Sequence, residues 1–178
     1  MGKRAIAFAA SSSRRSINKQ LVTYACGLLG DVEVEILDLN DYELPLFSVD
    51  REDELGQPEL ARAFLQKITD ADGIIISFAE HNGAYSAAYK NLYDWVSRIQ
   101  PKVYQGKPMV LLSTSPGGRG GKSVMELALA QIPRFGGEVR ASVSLPSFHD
   151  NFDSDGGRVS DPALALEVQA AVRRLFDE

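Results

Sequence analysis

Short apolar runs alternate with helix-patterned segments from one end of this chain to the other, and that alternation limits its fold more than any other feature. Ala5 to Ala10 is brief, apolar and bounded by serines, as a strand covered on both faces would be. Ser16 to Leu29 carries Ile17, Leu21, Tyr24 or Ala25, and Leu28 at helical spacing, with Gly30 as a stop. Val32 to Leu39 sets valines and an isoleucine against glutamates in strand alternation. After a loop predicted over Asn40 to Gln57, Pro58 opens a helix through Leu60, Phe64 and Ile68. Gly73 to Phe78 is nearly all apolar and rich in isoleucine, which predicts a central strand. Tyr85 to Ile99 predicts a helix closed by Pro101, and Pro108 opens a strand over Met109 to Leu112. A glycine-rich loop, Pro116 to Gly121, leads into a helix with Val124, Leu127, Leu129 and Ile132. Glu138 to Leu145 predicts the last strand, Pro146 to Gly157 a polar loop, and Pro162 to Phe176 a C-terminal helix.

Strand-helix pairs in such succession predict one α/β domain over residues 1–178, a three-layer sandwich with a five-stranded parallel sheet and helices on both faces. No internal repeat, low-complexity stretch or linker divides it. Sheets of this kind bind ligands beyond the carboxyl ends of their strands. That rule singles out three loops: Ser11 to Asn18, Ala79 to Ala84, and Thr114 to Gly121.

Charge and cysteine usage narrow the partners. The net charge of −5 and the absence of any basic run longer than a pair, as at Arg14-Arg15 and Arg173-Arg174, argue against a nucleic-acid partner. Cys26 is the one cysteine, so no internal disulfide or cysteine-cluster metal site can form. Its apolar neighbours suit a small buried hydrophobe, the alternative being a reactive thiol. His149 has acidic neighbours but no distinctive ligand spacing, so it is read as a surface-loop residue and no metal is expected. No stretch has the length of a membrane span or a signal peptide, and Gly2 lacks the context of lipidation. The expectation is a cytoplasmic chain with no membrane partner.

The loops differ in chemistry. Ser11-Ser12-Ser13-Arg14-Arg15-Ser16 offers hydroxyls, amides and guanidinium groups at a helix N-terminus, a composition suited to a phosphate. It lacks the glycines a dinucleotide pyrophosphate needs, so a terminal monophosphate fits better. The competing reading is helix capping plus a solvated arginine pair. Pro116 to Ser123 imitates a Walker A loop, but Pro116 stands where the first glycine must be, and the match fails. Its glycines suit a backbone lying against a flat ring.

The middle loop and its helix, Ala79-Glu80-His81-Asn82-Gly83 through Leu92-Tyr93-Asp94-Trp95, resemble the PEYNGSxPGxLKNAIDW motif of the NADPH-dependent FMN reductase family. Ser12 to Asn18 is similar to that family's GSxRxxSxN loop, Leu44-Pro45-Leu46-Phe47 to its LPLY segment, and Ser113 to Gly121 to its SxSPGGxGG loop. The segments follow the family's order. The resemblance implies a flavodoxin-like fold, non-covalent FMN, NADPH or NADH as co-substrate, and a homodimer or homotetramer. It also implies reduction of quinone-like or other small-molecule electron acceptors. It places Ser12, Arg14, Ser16 and Asn18 around the FMN phosphate, and Glu80, His81, Asn82 and Gly83 beside the ring. Ser115, Gly117 and Gly118 approach the ring from the third loop. No side chain is expected to act as catalytic acid or nucleophile, because the cofactor carries the chemistry.

Three departures accompany the resemblance. Arg14 and Arg15 stand two and one residues before Ser16, where the family's arginine stands three before. Ala79 replaces a proline. His81 replaces a tyrosine, and is expected to line the acceptor site. Tyr85, Tyr89, Tyr93 and Trp95 crowd one short helix and suggest a surface for self-association. Two rival functions remain: a non-enzymatic flavodoxin-like carrier or flavin-responsive interaction protein, and a Rossmann-like NAD(P) module without flavin.

Overall fold

Alternate side chains of the central strands enter two separate cores, and this fixes the layering. The computed structural model describes residues 2–177. Ile74, Ile76 and Phe78 of β3 (Gly73–Phe78) pack into one cluster, while Ile75 packs into the other. Met109 and Leu111 of β4 (Pro108–Thr114) divide from Val110 and Leu112 in the same way, as do Ile6 and Phe8 from Ala5 and Ala7 in β1 (Arg4–Ala10). With β2 (Glu33–Leu37) and β5 (Glu138–Leu145) at the edges, the five strands form a parallel sheet ordered β2-β1-β3-β4-β5. This is the flavodoxin-like order, whose switch point lies between β1 and β3.

One face is covered by α1 (Ile17–Gly27) and α7 (Pro162–Arg173), which bury Leu21, Val22, Ala25, Val168 and Val172. The other is covered by helices that bury Phe64 and Ile68 (α3, Glu59–Asp70), Leu92, Trp95 and Val96 (α4, Ala87–Ile99), and Val124 and Ala128 (α5, Lys122–Gln131). The predicted elements are all present with shifted ends. Ser16 and Ser86 lie outside their helices as N-caps, accepting hydrogen bonds from the amides of Lys19 and Tyr89.

Two predicted loops prove to be structured. Within 40–57, a turn of 3-10 helix closes at Tyr42, and Ser48 caps the short helix α2 (Val49–Leu55). Helix α2 buries none of its residues, so it carries no apolar stripe by which to recognise it. Within 146–157, the four-residue α6 (Phe148–Asn151) is followed by β6 (Phe152–Asp153), which pairs antiparallel with β7 (Arg158–Val159). Phe148 and Phe152 stack at 4.7 Å between centroids and anchor this segment against α1 and α7.

No helix among the described residues is long and apolar enough to cross a membrane, and no acidic, histidine and cysteine cluster there could hold a metal. Burial pushes the Cys26 thiol up to about 12, which keeps it protonated at neutral pH.

Candidate functional site

Parallel strands bring the first, middle and third loops to one edge of the sheet, so the site's shape depends on how each loop is fastened. In the first loop the Ser13 amide donates to Ser11 Oγ at 3.1 Å, the Arg15 amide to Ser13 Oγ at 3.3 Å, and the Ser16 amide to the Ser13 carbonyl at 3.2 Å. These bonds curl the backbone over the α1 N-terminus, whose partial positive charge favours an anion. Ser12, Arg14 and Arg15 are exposed, and neither guanidinium forms an ion pair among the described residues. Ser16 Oγ accepts from the Lys19 amide and keeps its hydroxyl proton for another acceptor. Lys19 itself is committed to Asp38 at 2.6 Å, and that hydrogen bond holds the Asp38 carboxyl down at about 2.

Asn18 is turned inward. It is 2% exposed, and its Oδ1 accepts from the Thr114 amide at 3.0 Å and from Ser77 Oγ at 2.8 Å. Its Nδ2 donates to the Thr114 carbonyl at 3.2 Å. One side chain therefore ties α1 to the ends of β3 and β4. Its oxygen is committed to strand-end donors, which gives Asn18 a positioning role.

The middle loop is a two-residue reversal. His81 and Ala84 exchange amide-to-carbonyl bonds of 3.0 and 3.1 Å, and the residues between them have φ of 52° (Asn82) and 75° (Gly83). Positive φ at both centres is the requirement of a type I′ turn, for which Asn-Gly is the preferred pair. His81, Asn82 and Gly83 are all exposed at this tip. Glu80 faces the other way: its Oε2 accepts from the Val124 amide at 2.8 Å, in the first turn of α5. Its carboxylate thus clamps the middle loop to the helix that follows the third loop, where the helix dipole favours negative charge. This bond gives Glu80 a positioning role between the two loops.

In the third loop, Ser113 Oγ donates to the Gly120 carbonyl at 2.8 Å, and the Gly120 amide donates to the Gly117 carbonyl at 3.1 Å. The amides of Ser147 and Phe148 reach the Gly117 and Ser115 carbonyls at 2.9 and 3.0 Å, fastening the loop to α6. Ser115 is half-buried, its hydroxyl 3.3 Å from the Gly117 carbonyl. A Cβ at Gly118 would meet nothing within 4 Å, and one at Gly117 only Ser115 Oγ at 4.0 Å. The backbone there is open to a flat group.

The strand-end edge thus gathers the exposed Ser12, Arg14, His81, Asn82, Gly83, Gly117 and Gly118 with the half-buried Ser115 and the capping Ser16. Cations and hydroxyls stand at one end, unobstructed backbone at the other. That arrangement can hold a molecule with a terminal phosphate and a planar ring. Sequence reasoning gave Ser77 no role, since it lies in an apolar strand with no signal of its own, and it placed Thr114 and Gly120 in the third loop without a role for either.

The aromatic helix is also rearranged. Trp95 is 0% exposed, donating Nε1 to the Pro45 carbonyl at 2.7 Å and meeting Phe47 edge-on at 5.1 Å. Tyr89 is buried and hydrogen-bonded to Tyr104, while Tyr85 and Tyr93 pack half-buried against the same core. Burial pushes the Tyr85 phenol up to about 12. Trp95 and Tyr89 are thus core residues, while Tyr85 and Tyr93 keep part of their surface open. Leu46 and, on α2, Val49 and Leu55 are exposed apolar residues, at 77%, 61% and 54% exposure. Asn91 holds the segment bearing Leu46 in place, accepting from the Phe47 amide at 2.8 Å and donating to the Leu44 and Pro45 carbonyls at 3.1 Å.

The family model described as NADPH-dependent FMN reductase matches residues 4–150. A 2-hydroxy-1,4-benzoquinone reductase of a Burkholderia species is 40% identical over 118 residues, covering 65% of this chain and 62% of that protein. An NADPH:quinone oxidoreductase of Arabidopsis thaliana is 38% identical over 96 residues, 54% of this chain and 47% of that one. The match therefore spans less than two thirds of either relative. In fold, the chain superposes on the flavoenzyme NAD(P)H:(acceptor) oxidoreductase of Paracoccus denitrificans with a TM-score of 0.77, covering 97% of this chain and 94% of that one at 23% identity.

Proposed function

The chain belongs to the NADPH-dependent FMN reductase family, and on that premise we propose that it is an FMN-dependent oxidoreductase that uses NADPH or NADH to reduce quinone-like or other small acceptors. The observation that carries this reading is the pairing of an unneutralised Arg14–Arg15 cradle with the open Gly117–Gly118 backbone along one strand-end edge. Ser12, Arg14 or Arg15, and Ser16 would hold the FMN phosphate; the Asn82–Gly83 turn and Gly117–Gly118 would flank the ring. Bound FMN supplies the redox chemistry, relaying a hydride equivalent from the nicotinamide to the acceptor. The chain's own work is orientation and exclusion. Glu80 keeps the two ring-side loops in register, and Asn18 keeps the phosphate loop in register with both.

Calorimetric titration with FMN, riboflavin and FAD tests the reading. FMN is expected to bind at about one per chain and at least tenfold more tightly than riboflavin, since charge-assisted hydrogen bonds contribute roughly 1.5–3 kcal/mol each. Equal affinity for FMN and riboflavin would remove the phosphate cradle. Failure of the FMN-loaded protein to oxidise NADPH or NADH would return it to the class of electron carriers.

His81 sits exposed at the tip of the turn, beside the place assigned to the ring. An imidazole there can donate to an acceptor oxygen that gains negative charge. His81→Tyr is expected to leave FMN affinity within a few-fold and to change the ratio of kcat/KM for a small quinone over a bulky azo dye. A tenfold change equals roughly 1.4 kcal/mol. An unchanged ratio would make His81 a surface residue.

A homodimer or homotetramer is proposed as well, in the cytoplasm. The half-buried Tyr85 and Tyr93 and the separately exposed Leu46, Val49 and Leu55 are the apolar side chains available to such an interface. Sedimentation at micromolar concentration should show a species heavier than the 19.4 kDa chain; a pure monomer would end this part of the proposal.

A further inference from the structure

Arg119 and Lys122 project from the third loop and the first turn of α5, and holding the flavin requires neither. Both are exposed and neither forms an ion pair among the described residues; Arg119 Nη2 donates only to Ser123 Oγ, at 3.2 Å. With Gly118, Glu126, Ser144 and Pro146 they line a groove of about 580 Å³ beside the edge strand β5. Gly118 belongs both to this groove and to the wall assigned to the ring. A dinucleotide that delivers its nicotinamide to the ring must lay its remaining length on the surface next to that wall, and the groove adjoins the wall at Gly118.

The groove's polarity narrows what it would hold. The α5 amide of Val124 is already taken by Glu80, so the anion-attracting groups are the two side chains and not the helix end. Glu126, one turn beyond Lys122, is the single carboxylate of the lining, which leaves a net positive mouth. A wider groove of about 650 Å³ between α1 and the β6–β7 hairpin contrasts with it. Its cations Lys19 and Arg158 stand 2.6 and 3.6 Å from the carboxylates of Asp38 and Asp153. Arg14 and Arg15 serve the first loop. Among the described residues, the Arg119–Lys122 groove combines free cations with a lining residue, Gly118, of the ring wall.

We infer that Arg119 and Lys122 bind the 2′-phosphate of NADPH and make the enzyme prefer NADPH over NADH. This rests on the FMN oxidoreductase reading above. A guanidinium and an ammonium converging on a phosphate dianion provide charge-assisted hydrogen bonds that the 2′-hydroxyl of NADH cannot match.

The test uses the FMN-loaded protein and two readouts. Calorimetry compares adenosine 2′,5′-bisphosphate with adenosine 5′-monophosphate, which differ by the 2′-phosphate alone. Steady-state kinetics compares kcat/KM for NADPH and NADH in wild type, Arg119→Ala, Lys122→Ala, the double variant and Arg119→Lys. Wild type should bind the bisphosphate at least tenfold more tightly, each alanine should lower the NADPH-to-NADH efficiency ratio about tenfold through KM, and the double variant should abolish the affinity difference. Arg119→Lys, which keeps the charge, should retain most of the discrimination. Equal affinity of wild type for the two nucleotides would overturn the inference, as would an efficiency ratio unmoved in the double variant. Should wild type take up no FMN, or oxidise neither nucleotide, the parent reading fails and this inference with it.

Discussion

Replacing Gly120 by alanine is expected to lower the unfolding free energy by roughly 2–4 kcal/mol, the sum of left-handed strain and overpacking against rigid atoms. Gly120 has φ +59°, and a Cβ there would stand 2.6 Å from the Leu145 carbonyl oxygen, 2.7 Å from its carbon and 2.9 Å from the Pro146 nitrogen. All three are backbone atoms, so no rotamer can relieve the clash; β5 or the third loop must move. Such a movement would also strain the 2.8 Å bond from Ser113 Oγ to the Gly120 carbonyl and shift Gly117 and Gly118. FMN affinity should therefore fall together with stability. Gly118→Ala is the informative contrast, because its Cβ would meet no atom of the chain. It should stay within about 0.5 kcal/mol of wild type in stability, as surface changes usually do, while still weakening FMN through its intrusion on the ring wall. Urea denaturation and FMN titration of the two variants decide the matter. A Gly120→Ala protein as stable as wild type would mean that the third loop adapts, and that the proposed rigidity of the ring wall is wrong.

Asn18→Ala should be the other severe lesion, at roughly 2–4 kcal/mol, since it strands a buried backbone amide and carbonyl as well as a buried hydroxyl. The Thr114 amide and carbonyl and the Ser77 hydroxyl all bond Asn18, in a place too buried for bulk water to replace it. Ser77→Ala, by contrast, removes one donor and leaves an apolar methyl, at a cost of about 0.5–1.5 kcal/mol. The binding readout separates positioning from direct contact. If Asn18 acts by holding the loops, Asn18→Ala should weaken FMN and riboflavin by similar factors. A loss confined to FMN would restore Asn18 to the phosphate shell. Arg14→Ala supplies the opposite pattern, weakening FMN while sparing riboflavin, if Arg14 is the phosphate-binding arginine.

The sequence by itself determined the strands, most of the helices, their alternation and the three loops that could bear a ligand. Each of these depends on residues close together in the chain. Gly73 to Phe78 reads as a doubly buried strand because its own residues are nearly all apolar, and Ala79 to Ala84 reads as a strand-end loop because it lies between that run and a helical pattern. Only the tertiary structure decided what the site residues do. Asn18 meets Thr114 across 96 residues of sequence, and Glu80 meets Val124 across 44. A polar side chain in a loop looks the same whether it faces a ligand or a distant amide, and the difference arises when strand order brings the ends of β1, β3 and β4 side by side. The aromatics of α4 carry the same lesson. Their spacing does not say which face meets the core, and it took the Leu44 to Phe47 segment, folded over Trp95, to bury the indole. Helix α2 went unread because it buries nothing, and α6 with its hairpin because Phe148 and Phe152 find their partners on α1 and α7. Local backbone preferences are set within a few residues of sequence, whereas burial and the pairing of polar groups depend on neighbours that only the completed fold supplies.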